Sequence, residues 1–341
     1  MECDKVALNR MGRLLQAVLL ISLLCLSTKG VAAAPARLSG GFIQYQDWMM
    51  KLTPNQWRRE LSAMRKIGAK VIILQGLAAN QQSFISQPDS NDPTTIILKY
   101  ADQHHIKVFL GLLSVDSWWN HTMDAAYLSR LAQRESDFAG KVWHRYRSYR
   151  AFAGWYIPTE LWDGSWNSEQ VAALNRFLLR ISAECHRLSD KLPVAISPFY
   201  SGTLTPPQFQ ALYQKMLHRA GIQIVMLQDG VGARNLGEAI LQRVVPYFQA
   251  MEKACKSDHV KLWANAESFH IEHGTPVNTG STQFVPASIS RLIQQLQMEA
   301  PYVQRIITFD LFHYMSPYRG PAQARLYEEY RKWMKDPQIK K

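Results

Sequence analysis

Eight short apolar runs alternate along this chain with longer amphipathic stretches, and that rhythm narrows the fold more than any other feature. The runs are GGFIQY (40–45), KVIILQG (70–76), KVFLGLL (107–113), FAGWYIP (152–158), PVAISPFY (193–200), IQIVMLQ (222–228), VKLWANA (260–266) and RIITFDLF (305–312). They are rich in Val, Ile, Leu, Phe and Tyr with little polar alternation, as in strands buried on both faces of a parallel sheet. The stretches between them have recognisable starts. Thr53-Pro54 opens one to Ile67, with Trp57, Leu61 and Met64 at helical spacing. Ser168 opens another to Arg187, with Val171, Leu174, Leu178 and Ile181 on one face. Pro206, Asn235, Ser288 and Pro321 begin or closely precede others. Eight strand–helix units predict an α/β fold, one (β/α)8 TIM barrel over residues 35–341. A doubly wound sheet would carry a glycine-rich phosphate turn after its first strand, and GFIQYQDW has none.

Composition agrees with a large core. Of 341 residues, 47% are hydrophobic and 19% charged, which excludes a disordered chain. The start of the chain is read separately. Arg10 and Arg13 precede the apolar run Leu14–Leu26, and small residues follow in Val31–Ala34. A spanning helix needs about 20 apolar residues, so this shorter run reads as a secretory signal peptide. Residues 1–34 are therefore expected to be cleaved near Ala33 to Ala36, leaving a periplasmic or secreted protein without stable membrane insertion. Cleavage removes four basic residues (Lys5, Arg10, Arg13, Lys29) and two acidic ones (Glu2, Asp4), lowering the net charge from +12 to +10. An exported cation suits an anionic polysaccharide, whereas nucleic acid is not an expected partner. Cys185 and Cys255 alone remain, at the ends of the fourth and sixth helices, and are not expected to meet. The barrel is expected to act as a monomer.

In a barrel of this kind the active site lies at the carboxyl ends of the strands. The residues there are Gln44 and Asp47, Gln75, Trp118, Trp119 and Asn120, Glu160 and Trp162, Ser197 and Tyr200, Gln228 and Asp229, Asn265 and Glu267, Asp310 and His313. The strand starts carry Lys70, Lys107, Lys261 and Arg305 instead. Carboxylates, amides and aromatics thus gather at one end. Glu160 closes the fourth strand in GWYIPTE, on the same side as Tyr156, and Glu267 closes the seventh in WANAE. Cleavage of a glycosidic bond uses such a pair: one carboxyl protonates the departing oxygen, and the other attacks or activates water. Sugar rings pack their C–H faces on aromatic planes, which gives Trp118 or Trp119, Trp162 and Tyr200 a role in binding.

At GWYIPTE and WANAE the sequence resembles the clan of retaining (β/α)8 glycoside hydrolases. It resembles more closely a glycoside-hydrolase-like barrel family of secreted bacterial proteins that has a G-W-Y-(I/L)-P-x-E strand. The resemblance spans roughly residues 40–335 in architecture. It implies Glu160 as acid/base and Glu267 as nucleophile of an enzyme that retains configuration. Gln44, Gln75, Asn120, Tyr156, Gln228, Asp229, Asn265, Asp310 and His313 complete the expected substrate site. Thr159 is a departure, since the clan places Asn before its acid/base, and Thr lacks the paired donor and acceptor of an amide. That leaves a non-catalytic carbohydrate-binding barrel as the alternative. No cofactor signature appears, and His270-x-Glu272-His273 lacks the order of a metal-binding helix motif.

Overall fold

The computed structural model describes residues 35–80, 82–85, 92–121, 124–234, 239–274 and 282–336. The leader read at 1–34 and the helix start read at Asn235 lie outside the described residues. The eight strands are β1 (Leu38–Ile43), β2 (Val71–Leu74), β3 (Lys107–Gly111), β4 (Phe152–Ile157), β5 (Val194–Ile196), β6 (Ile224–Gln228), β7 (Lys261–Glu267) and β8 (Arg305–Phe309). They pair in parallel in chain order and close with β8 against β1. Among the described residues a helix follows each strand: α1 (Pro54–Lys66), α2 (Pro93–His104), α3 (Ala125–Tyr146), α4 (Ser168–Leu188), α5 (Pro206–Leu217), α6 (Ile240–Ser257), α7 (Ile289–Glu299) and α8 (Pro321–Trp333). This is the (β/α)8 barrel.

Local chemistry sets the helix starts. The Thr53 hydroxyl accepts the Gln56 N–H while the Gln56 side chain accepts that of Thr53, and Pro54 takes the first helical position. Asn167 and Gln170 repeat the reciprocal pair at α4. Strand ends follow from equally local events. The run from Pro193 closes early, at Ile196, and Pro198 brings no N–H to a ladder beyond it. The run from Arg305 ends at Phe309 because Asp310 caps the helical turn Leu311–Tyr314, accepting the His313 N–H at 2.7 Å.

Two apolar layers result. Phe42, Val71, Ile73, Phe109, Tyr156, Ala195, Ile224, Met226, Trp263 and Ile307 fill the barrel, while a larger cluster joins its outside to the helices. Trp155 lies in the outer layer and Trp263 in the inner one. Gly154 is required where it stands, because a Cβ there would enter the Phe109 ring. Two small sheets lie beyond the strand ends. Ala78–Ala79 pairs with Gln82–Ser83 and Leu113–Ser114, and the strand Phe269–His273, which holds His270, Glu272 and His273, pairs with Gln283–Pro286. Cys185 and Cys255 are buried free thiols. Among the described residues no helix is long and apolar enough to cross a membrane.

Candidate active site

The carboxyl ends of β4 to β7 bring Glu160 and the amides near it into one polar cluster. Ile224 and Met226 point into the barrel, so Gln228, two residues on, faces its mouth. The Gln228 amide donates to Glu160 Oε1 at 3.3 Å and to the Ser197 carbonyl at 2.9 Å. Trp263 points inward on β7, which sends Asn265 and Glu267 the same way. Asn265 stands opposite Gln228 in the ladder and donates to Ser197 Oγ at 3.1 Å. Its Oδ1 is buried and meets no protein donor, a property shared by Gln75 Oε1.

Glu267 is the last residue of β7 and is 4% exposed. Its Oε2 accepts the Ala233 N–H at 2.7 Å from the helical turn Val231–Arg234. Burial, and then the negative charge of Asp229, push this carboxyl up to about 8, against the Ala233 hydrogen bond and the charges of Arg234 and Arg291. Glu160 is half-buried; burial raises it too, and the Gln228 hydrogen bond pulls the other way. Carboxyls raised by burial can carry a proton at neutral pH and deliver it to a departing oxygen.

The other expected residues divide into two groups. Trp119 is 51% exposed and stacks on Trp162 (5.3 Å between centroids), which stacks in turn on Phe199 (6.0 Å). These rings give the mouth an aromatic rim at the ends of β3, β4 and β5, with Asn120 exposed beside it. Trp118 is 3% exposed, stacks on Phe177 of α4 and donates its indole N–H to the Glu160 carbonyl at 2.9 Å. The tandem tryptophans thus split, one into packing and one to the surface. Across the mouth, Trp48 is 38% exposed beyond β1.

Asp229, Asp310, Tyr156 and Tyr200 are buried. Asp310 accepts from His313 Nδ1 at 2.6 Å and from the Gln44 N–H at 3.3 Å. Burial works against the imidazolium of His313, yet the charge and hydrogen bond of Asp310 leave its pKa raised. The Tyr200 hydroxyl donates to the Asp229 carbonyl, and Arg234 lies over its ring.

Several polar residues at this end escaped the sequence reading. Glu135 on α3 is fully buried, accepts the Leu113 N–H at 3.2 Å, and is pushed by burial up to about 8. Arg291, Gln295 and Glu299 line one face of α7 behind Glu267. The available signal was a charged or amide side chain at apolar helical spacing, as where Leu292 and Leu296 alternate with Arg291 and Gln295.

Residues 38–321 match the family model described as a domain of unknown function, DUF4434. The chain belongs to the DUF4434 family. It is 26% identical over 246 residues to the uncharacterized protein YbcH of Escherichia coli (strain K12), covering 69% of this chain and 75% of that one. A crystal structure from Bacteroides thetaiotaomicron VPI-5482, described as that of a "putative alpha-L-fucosidase", superposes with a TM-score of 0.68 at 19% identity. That match covers 90% of this chain and 99% of the other. A beta-D-glucuronidase of Dictyoglomus thermophilum gives 0.53 at 11% identity, over 88% of this chain and 51% of its own. At these identities the likeness is one of fold, the barrel common to glycoside hydrolases of several kinds.

Proposed function

We propose that this exported barrel hydrolyses a glycosidic bond in an oligosaccharide or polysaccharide, with Glu160 and Glu267 as its working carboxyls. The observation that carries the reading is that Glu160, just beyond the end of β4, and Glu267, the last residue of β7, both stand at the carboxyl ends of barrel strands, and burial raises both. In this scheme Glu160 protonates the leaving oxygen, Glu267 attacks the anomeric carbon, and Glu160 then takes a proton from the incoming water. The exposed Trp119–Trp162 rim beside Glu160 supports a sugar on the leaving side. The positive charge of the chain favours an anionic glycan.

A second reading exchanges the two roles. It draws on Glu267, whose pKa of about 8 suits a proton donor at neutral pH.

The test is hydrolysis of a glycan panel by the wild type, Glu160→Gln and Glu267→Gln. Each variant is expected to lose about 10²- to 10⁴-fold or more in kcat while still binding the glycan. Azide added to the alanine variants separates the roles: the nucleophile variant yields an inverted glycosyl azide, and the acid/base variant a retained one. Glycan binding by the wild type with no cleavage across the panel would leave a binding protein and overturn the enzyme reading.

A further inference from the structure

Behind Glu267, α7 presents Arg291, Gln295 and Glu299 at four-residue spacing, which puts them on one face of the helix. That face rests on the ends of β6 and β7. Arg291 donates to the carbonyls of Glu267 (3.0 Å) and Phe269 (2.6 Å). Gln295 donates to Asp229 Oδ2 (2.5 Å) and to the Glu267 carbonyl (3.3 Å). Asp229 Oδ1 accepts the N–H groups of Val231 (3.1 Å) and Glu267 itself (3.2 Å). Glu299 is fully buried; neither of its oxygens meets a donor, and the neighbour it faces is the Asp229 carboxyl.

Two buried carboxyls in contact do not both carry charge, because each would repel the other in a medium that screens poorly. Three N–H groups converge on Asp229 and none on Glu299, so the charge belongs to Asp229 and the proton to Glu299. Asp229 then presents a buried negative charge to Glu267.

We propose that Asp229, anchored by Gln295 and Glu299 of α7, is the positioning residue that fixes Glu267 and keeps a proton on its carboxyl in the resting protein. The other groups facing Glu267 are Arg234 of the turn after β6 and Arg291 of α7, which favour its ionisation. Tyr200 and Tyr314 also face it, and burial keeps both phenols neutral. Under the first reading Glu267 releases that proton before it attacks, and under the second it donates it to the leaving oxygen; the presence of the proton in the resting protein rests on neither.

The experiment is a ¹³C NMR titration of the full chain labelled at the glutamate carboxyl, with signals assigned by their loss in Glu267→Gln and Glu299→Gln. Glu267 is expected to titrate at about 8 in the wild type, and Glu299 well above the ordinary carboxyl range. Asp229→Asn is expected to lower the Glu267 midpoint by about one pH unit or more. Glu299→Gln keeps a neutral donor to Asp229 and is expected to leave that midpoint unchanged. An unmoved midpoint in Asp229→Asn, or a fall in Glu299→Gln equal to that in Asp229→Asn, would overturn the proposal. If Asp229→Asn does not fold, the wild-type spectrum decides: Glu299 titrating in the ordinary carboxyl range overturns it. No substrate is involved, so the outcome is separate from whether the protein cleaves a glycan.

Discussion

Thr159 turns its hydroxyl toward Glu135 of α3, 3.4 Å from Oε1, although the next residue in the chain is Glu160 at the barrel mouth. The side chain is buried and serves the junction of barrel and helix layer rather than the mouth. The amides at the mouth come instead from Gln228 and Asn265, on β6 and β7. Amide chemistry is therefore present at the mouth but comes from other strands, while Thr159 holds the position before Glu160.

Glu135 gives this junction a pH dependence. Its folded-state pKa of about 8 exceeds the ordinary carboxyl value of 4.5, with burial as the main cause. Between those two values the folded protein holds a proton that the unfolded chain has released. Stability contributed by this group is therefore complete below the lower value and falls as pH rises through the window. Glu135→Gln keeps one oxygen to accept the Leu113 N–H and offers its NH2 to the Thr159 hydroxyl oxygen, but cannot ionise. The variant is expected to match the wild type near pH 4 and to exceed it by about 1–3 kcal/mol at pH 8. Thermal unfolding at both pH values tests this; an equal offset at the two would refute it.

Trp118 and Trp119 should respond oppositely to removal. Trp118→Ala empties a buried site against Phe177 and costs about 3–5 kcal/mol of stability. Trp119→Ala removes a half-exposed ring and is expected to leave the melting temperature nearly unchanged. It should weaken binding of a cleaved or bound glycan at least tenfold, about 1.4 kcal/mol. Calorimetric unfolding and glycan titration of both variants provide the comparison, and a large stability loss in Trp119→Ala would contradict it.

Gln228 holds Glu160 toward its ionised form, since a hydrogen bond to the carboxylate favours charge. Gln228→Leu removes that bond and should raise the Glu160 pKa. If Glu160 acts as the acid, the alkaline limb of kcat/KM then moves to higher pH by up to about one unit. A limb that stays, or moves to lower pH, argues that Glu160 is not the acid.

The barrel was legible in the residue string because strands buried on both faces need continuous apolar runs, and helices packed outside them need a single apolar stripe. Each signal is local, as are the caps at Thr53 and Asn167. The ends of the strands were then enough to place Glu160, Gln228, Asn265 and Glu267 at one mouth. They did not tell that Trp118 packs inward while Trp119 faces out, because neighbouring residues differ only in which helix arrives beside them.

Hydrogen-bond partners far apart in sequence were also beyond local pattern. Gln295 meets Asp229 across 66 positions, and Glu135 meets Thr159 across 24. Whether a buried carboxyl keeps its proton depends on those partners and on lost water, neither of which a residue type specifies. The sequence by itself determined the (β/α)8 barrel and the end at which carboxylates, amides and aromatics gather, since periodicity and strand polarity are properties of the chain. Only the tertiary structure decided which carboxyls lie beside one another, and so which of them is held neutral, because charge interactions depend on distance and burial rather than on order along the chain.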